Sequence, residues 1–167
     1  MSIDYIVIIL MWVVGILAYI FLTPKNHYRK VLFALLLCQA FVWLSSLLHV
    51  KFHLLAFPVR EFPKATDVLV TTEYFFYPLL SGFYNVFEPP KFKRSLAMRA
   101  VYLSIWISGL VLIDHFLEKY TNLIEYVHYE WYFTWIDFFC IFAITNLIYQ
   151  WFFKDKAHFT EDREVAK

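Results

Sequence analysis

The sequence predicts an all-α integral membrane protein, a bundle of about five transmembrane helices. Hydrophobic residues make up 61% of the 167 residues and aromatic residues 22%, well above the apolar share of ordinary soluble domains. These residues are concentrated in blocks of about twenty, the length that a helix needs to cross the hydrocarbon core of a bilayer. Charged, proline-containing segments separate the blocks. Length and spacing together indicate a multi-pass protein.

Five blocks are long enough to span a bilayer, with predicted boundaries at residues 5–22, 31–50, 68–87, 96–113 and 132–153. The first block lacks the basic start and the cleavage site of a secretory signal peptide, so we expect it to be retained. The third block stops at Glu88, because the two prolines that follow cannot continue a helical hydrogen-bond ladder. Residues 51–64 are predicted to form a loop with an interfacial portion.

Two further regions complete the predicted organisation. Residues 1–153 are expected to form a single transmembrane domain, and residues 154–167 a charged cytoplasmic tail. Before the last helix lies an aromatic segment that contains Tyr126, Tyr129 and Trp131. These residue types settle at the interface between a membrane and water, so we expect this segment to be interfacial.

The distribution of Lys and Arg predicts an N-terminus outside and a C-terminus inside. With this orientation, eleven of the 15 Lys and Arg residues fall on the cytoplasmic side. The four on the outer side are Lys51, Arg60, Lys64 and Lys119. Such a bias follows the positive-inside rule. We therefore expect a protein of the cell (plasma) membrane whose first partner is the lipid bilayer, and no basic tract indicates nucleic-acid binding.

Ionisable side chains within or beside the predicted spans collect in the outer half of the bundle. His49 ends the second span, Asp114 and His115 end the fourth, and Glu73 and Asp137 lie within the third and fifth. An ionised carboxylate at that depth costs several kcal/mol unless it faces the bundle interior, pairs or takes a proton. We therefore expect the two intramembrane acids to face inward, with a histidine as partner. These five residues are the candidate ligand or proton site.

Several interpretations of these residues stay open. They can act as interhelical hydrogen bonds that fix the packing, each worth about 1 kcal/mol, or they can form an outward-facing pocket for a cation, a small polar ligand or a relayed proton. The weakest interpretation is a metal site of His49, His53 and Glu73. It depends on the helix continuing far enough to place both imidazoles on one face. No other cofactor is expected.

Pro78 follows Glu73 in the third span, within the segment EYFFYP. A proline at this position leaves the carbonyl of Tyr74 without its usual helical donor and is expected to bend the helix. A free carbonyl beside a carboxylate is a place for water or a cation. The bend alone is the simpler interpretation.

No GxSxG, P-loop or nucleotide-binding motif is present in the sequence, so a metal-dependent membrane enzyme with the same residues as ligands is the minority interpretation. Cys38 and Cys140 both fall within apolar blocks and are interpreted as small hydrophobic residues. The expected function is that of a non-enzymatic protein that packs with itself as a homo-oligomer or with partner membrane proteins. The alternative is a small transporter, sensor or ligand-binding protein that uses the outer pocket.

The C-terminal run YTNLIEYVHYEWYFTWIDFFCIFAITNLIYQWFF has three recurring elements. These are a TNLI(K/E)Y segment, an aromatic W-Y/F-x-x-W turn and a final span that ends in Y-x-W-F-F. Together with EYFFYP, the run resembles a family of small multi-span membrane proteins from spore-forming Gram-positive bacteria. The resemblance implies a bacterial inner-membrane protein and carries no activity with it.

Overall fold

The computed structural model is predominantly α-helical, as predicted. It describes residues 3–89, 95–128 and 130–165, with side chains described as far as residue 153. Within these ranges there are five α-helices: α1 (Ile3–Leu22), α2 (Tyr28–Lys51), α3 (Tyr77–Val86), α4 (Leu96–Tyr120) and α5 (Trp131–Val165). In the described part of the chain, α1, α2, α4 and residues Trp131–Phe153 of α5 are long and apolar enough to cross a membrane.

The third predicted span is not one uniform helix. A π-helical segment of six residues, Thr71–Phe76, runs directly into the ten residues of α3. Pro78 has no backbone N–H to donate to the carbonyl four residues before it, and the amide of Tyr77 donates instead to the carbonyl of Thr72, five residues back. The sequence indicated a bend at this proline but not the wider turn that precedes it. The two pieces together are shorter than each of the other four helices.

Helix α4 is longer than predicted, and this changes the position of two site residues. The helix was expected to end near residue 113 but continues to Tyr120. No glycine or proline interrupts the added residues, and Leu117 among them packs into the core. Asp114 and His115 therefore lie inside the helix rather than at its end.

Helix α5 also extends beyond its predicted boundary. Its backbone is helical to Val165, so the helix continues through most of the predicted tail. The side chains of this extension are outside the described residues. So are Lys91, Lys93 and Arg94, which contributed to the predicted orientation.

Two short strands that the sequence did not predict close one end of the bundle. β1 (Leu55–Ala56) and β2 (Glu125–Tyr126) pair antiparallel, with Leu55 opposite Tyr126. The amide of Val59 also donates to the carbonyl of Asn122 at 3.1 Å. The predicted interfacial loop and the predicted aromatic segment are thus bound to each other. This end, which carries β1 and β2, is called the sheet end, and the other is called the opposite end.

The core is formed mainly where α2, α3, α4 and α5 meet. Its buried residues include Val42, Tyr84, Ile107 and Phe142. Helices α2 and α3 approach closely at Gly82, where a β-carbon would lie 2.9 Å from Cγ1 of Val31. Such a short distance leaves no space for a side chain, so glycine is needed for this contact.

Helix α1 is packed on one side only. The Trp12 ring stacks on Phe75 of the π-helical segment, with ring centroids 4.2 Å apart. The opposite face leaves Ile6, Leu10 and Phe21 exposed. An exposed apolar face of this length is unfavourable in water and favourable in lipid.

Candidate functional site

Four of the five predicted site residues line one small cavity near the sheet end. His49 reaches it from α2, Glu73 from the π-helical segment, Asp114 from α4 and Asp137 from α5. The remaining polar lining residues are Ser46, Tyr77 and Thr134. The cavity has a volume of about 30 Å³, whereas a water molecule needs roughly 10–15 Å³. It therefore has room for a water molecule or an ion of similar size.

Glu73 faces the bundle interior and is only 4% exposed. The hydroxyl of Ser46, on α2, donates a hydrogen bond to its Oε2, and the hydroxyl of Thr72 donates to Oε1 at 3.2 Å. The sequence indicated a histidine as partner of the intramembrane acids, and the hydrogen bonds to Glu73 come from hydroxyl groups, one of them on Ser46, one turn before His49. The π-helical turn holds the carboxyl group toward α2.

Asp114 accepts a hydrogen bond on each of its carboxyl oxygens. The phenol of Tyr77 donates to Oδ1, and the phenol of Tyr126 donates to Oδ2 at 2.6 Å. Thr134 in turn donates to the Tyr126 oxygen at 3.2 Å. Burial, followed by the nearby charge of Asp114, raises the pKa of Tyr126 well above its ordinary value. Tyr126 therefore stays protonated and remains a hydrogen-bond donor.

Asp137 and His49 are joined through Ser45. The Ser45 hydroxyl donates to Oδ2 of Asp137 at 2.8 Å, and its oxygen lies 3.3 Å from Nδ1 of His49. Because the single hydroxyl hydrogen is donated to the carboxylate, His49 is the donor in the second contact. The serine thus lies between the histidine and the acid. These contacts link α2 to α5.

His115 does not belong to the cavity. Its side chain is 53% exposed, and its Nδ1 lies 3.3 Å from Oε2 of Glu118. The sequence placed it beside the intramembrane acids because it follows Asp114. Adjacent helical residues point about 100° apart, and this rotation turns His115 away from the bundle interior.

The arrangement on which the metal interpretation depended is not formed. Helix α2 ends at Lys51, and His53 adopts a positive φ of 55°. His49 and His53 therefore do not share a helix face. Among the described residues, no group of three or more His, Cys, Asp or Glu side chains is placed to hold a metal ion.

A wider groove lies at the sheet end, next to the cavity. Its volume is about 620 Å³, and it is lined by Tyr126 together with His115, Glu118, His128 and Glu130. Tyr126 therefore lines the groove and donates a hydrogen bond to Asp114, a residue that lines the cavity.

Glu61 fixes the start of the π-helical segment from the preceding loop. Its carboxylate accepts from the amides of Val70 at 3.1 Å and Thr71 at 2.8 Å, and also from the Thr71 hydroxyl. Trp12 of α1 donates to the same hydroxyl at 2.7 Å. Sequence reasoning missed this capping residue, because it lies too far from the helix start to match a local capping pattern.

A second polar network crosses the opposite end. Asn146 donates to Asn85 at 2.9 Å, Gln150 donates to Asn146 at 2.6 Å, and Arg99 donates to Gln150 at 2.8 Å. Arg99 also lies 3.5 Å from the buried carboxylate of Glu88. This chain of contacts connects α3, α4 and α5 far from the cavity.

No family model matches the chain, and no curated protein or solved structure is significantly similar to it. The site is therefore interpreted from its own geometry. The resemblance to small membrane proteins of spore-forming bacteria stays a prediction.

Proposed function

We propose that this is a multi-pass protein of the cell membrane that takes up and relays protons through the cavity lined by Glu73, Asp114 and Asp137. The observation that carries the proposal is the presence of three carboxyl groups around a space of about 30 Å³. Like charges this close destabilise one another, and burial in a membrane bundle adds a further cost. The carboxyl groups therefore need a neutralising positive charge. A proton provides it without the set of coordinating ligands that a metal ion requires.

The choice of a proton over a metal ion rests on the donor groups. Glu73, Asp114 and Asp137 line one cavity, but among the described residues no three His, Cys, Asp or Glu side chains come together in a group that could hold a metal ion. Each carboxyl group instead contacts at least one hydroxyl group. Hydroxyls both accept and donate hydrogen bonds, so they suit proton exchange with a carboxylate better than metal coordination.

We infer a route from the groove to the cavity through the same contacts. A proton from water in the groove joins the oxygen of Tyr126 while the phenol hydrogen passes to Oδ2 of Asp114. The carboxylate becomes a carboxylic acid, and Tyr126 remains neutral throughout. Tyr77 contacts the other oxygen of Asp114 and also lines the cavity that Glu73 lines.

The proposal includes five crossings, with the sheet end outside. The four membrane-length helices support it, as does the regular alternation in direction of the helices between the sheet end and the opposite end. The π-helical segment and α3 form the remaining crossing, which lies near the lower length limit for a span. The positive-inside distribution of Lys and Arg favours an N-terminus outside.

A second function is favoured by the same hydrogen bonds. Ser46 and Tyr77 connect helices through the carboxyl groups of Glu73 and Asp114, as polar residues do when they stabilise helix packing in membranes. In this alternative the protein acts as a homo-oligomer or through partner membrane proteins. The two functions predict different effects for a neutral substitution at Glu73.

The test is proton movement into liposomes that contain the purified protein and an enclosed pH-sensitive dye. We expect wild-type protein to move protons under an imposed pH gradient and Glu73→Gln to lose this activity. Glu125→Gln is the matched control, because Glu125 is exposed on β2 and does not line the cavity. A folded Glu73→Gln protein with unchanged proton movement would overturn the proposal in favour of packing alone.

A further inference from the structure

A separate groove of about 330 Å³ lies at the opposite end of the bundle, where α2 and α4 begin. Lys30, Arg99 and Glu88 supply its charged groups, and Asn85 and Gln150 supply amides. Tyr149 and Phe153 form an aromatic wall. None of these residues lines the carboxylate cavity, so the groove is independent of the proposed proton site.

The charge of this groove is positive. Glu88 offsets only one of the two cations and lies 3.5 Å from Arg99. Lys30 makes no ion pair within the described part of the chain and lies over the Phe153 ring, 5.6 Å from its centroid. The N-termini of α2 and α4 add positive partial charge at the same end.

Arg99 also keeps donor capacity. One of its terminal nitrogens donates to Gln150 at 2.8 Å. Its Nε atom is buried, yet among the described residues it has no hydrogen-bond partner, and the same is true of Oε1 of Glu88. The distance between the two groups is that of an ion pair without a formed hydrogen bond. A guanidinium has five N–H donors, so terminal N–H groups other than the one that contacts Gln150 remain for a further acceptor.

We propose that this groove binds the phosphate group of an anionic phospholipid. Lys30 and Arg99 provide the two cations that a phosphate diester attracts, and the aromatic wall suits the glycerol and upper acyl region. The groove lies at the ends of membrane-length helices, the depth at which lipid headgroups lie. Basic pockets between helices at this level are typical sites for anionic headgroups.

The experiment compares binding of phosphatidylglycerol and phosphatidylcholine to the purified full-length protein, by native mass spectrometry in detergent. We expect phosphatidylglycerol to bind preferentially and Lys30→Gln to weaken its binding about fivefold. This factor corresponds to about 1 kcal/mol, the contribution of one lysine near an anionic lipid surface. Glu88→Gln should strengthen binding, because it removes the opposing charge.

Lys119→Gln is the matched control. Lys119 lies over the Tyr120 ring at 5.7 Å, a contact like that of Lys30, but at the sheet end of α4. Equal losses in Lys30→Gln and Lys119→Gln, or no preference for phosphatidylglycerol, would overturn the proposal. So would full competition by inorganic phosphate, which would identify free phosphate as the ligand. Unchanged melting of Lys30→Gln in lipid-free detergent shows that its loss of binding is not a folding defect.

Discussion

Tyr126 donates a hydrogen bond to Oδ2 of Asp114 at 2.6 Å; Tyr126 lines the open groove, and Asp114 lines the small internal cavity. The strand that carries Tyr126 is held in place by pairing with β1. Loop pairing at the sheet end therefore decides where this phenol group lies. A substitution of Tyr126 therefore tests proton access to the carboxyl groups without changing the carboxyl groups themselves.

Tyr126→Phe should slow proton movement without removing the cavity. The substitution keeps the aromatic ring and removes the donor, while Tyr77 continues to donate to Asp114. A hydrogen bond to a charged group contributes about 1.5–3 kcal/mol, so we also expect a loss of stability within that range. The rate of dye response in liposomes and the unfolding midpoint in detergent measure the two effects.

Tyr132→Phe is the control for this change, since Tyr132 is exposed at the start of α5. Its rate and stability should match those of wild type. Equal rates for the two tyrosine variants would show that protons reach Asp114 by another path.

Gly82→Ala should destabilise the bundle. The added β-carbon would lie 2.9 Å from Cγ1 of Val31 and 3.0 Å from its backbone oxygen. The backbone atom cannot move aside without shifting α2, and overpacking of this kind costs about 1–3 kcal/mol. The free energy of unfolding in detergent is the quantity to measure.

Gly109→Ala also replaces a glycine within a helix, but it should not destabilise the protein. Nothing lies within 4 Å of a β-carbon at Gly109, and alanine is favoured over glycine within a helix by up to about 1 kcal/mol. We expect this variant to be as stable as wild type or more stable. Destabilisation of both variants by the same amount would contradict the close contact between α2 and α3.

Asn85 and Asn146 should show energetic coupling. Asn146 donates to Asn85 at 2.9 Å between two buried side chains. Interhelical hydrogen bonds of this kind in membrane proteins average about 0.6 kcal/mol. A double-mutant cycle with both residues changed to alanine measures the coupling. The same cycle with Asn146 and Asn122 should be additive, because Asn122 lies at the sheet end and shares no partner with Asn146.

The fold class was predictable from composition, because the length of each apolar block is set by the bilayer and not by the fold. The end of α4 was not predictable in this way. The fourth span was expected to stop before its first acidic residue. In the structure, Asp114 accepts hydrogen bonds from Tyr77 and Tyr126, so the helix can continue past it. Only tertiary contacts supply those partners.

The acidic residues of the candidate site were predictable from the sequence, but their hydrogen-bond partners were not. A carboxylate within an apolar block is easily recognised in a sequence, because burying its charge costs free energy unless a partner group compensates it. Ser45, Ser46 and Thr72, whose hydroxyl groups contact the acids, do not stand out in the sequence, because hydroxyl groups are tolerated at many positions on membrane helices. Which of them meets an acid depends on helix rotation, as the separate orientations of Asp114 and His115 show. The pairing of β1 with β2 joins segments far apart in the chain and leaves no local pattern.

The π-helical segment Thr71–Phe76 has a further consequence for Glu73. A π-type turn is equivalent to one extra residue accommodated within an α-helix, and one residue of an α-helix corresponds to about 100° of rotation. Rewinding this segment as a regular α-helix would turn Glu73 by that angle relative to α3 and away from Ser46. The direction of the Glu73 carboxyl group therefore depends on whether these six residues are wound as a π-helix or as an α-helix.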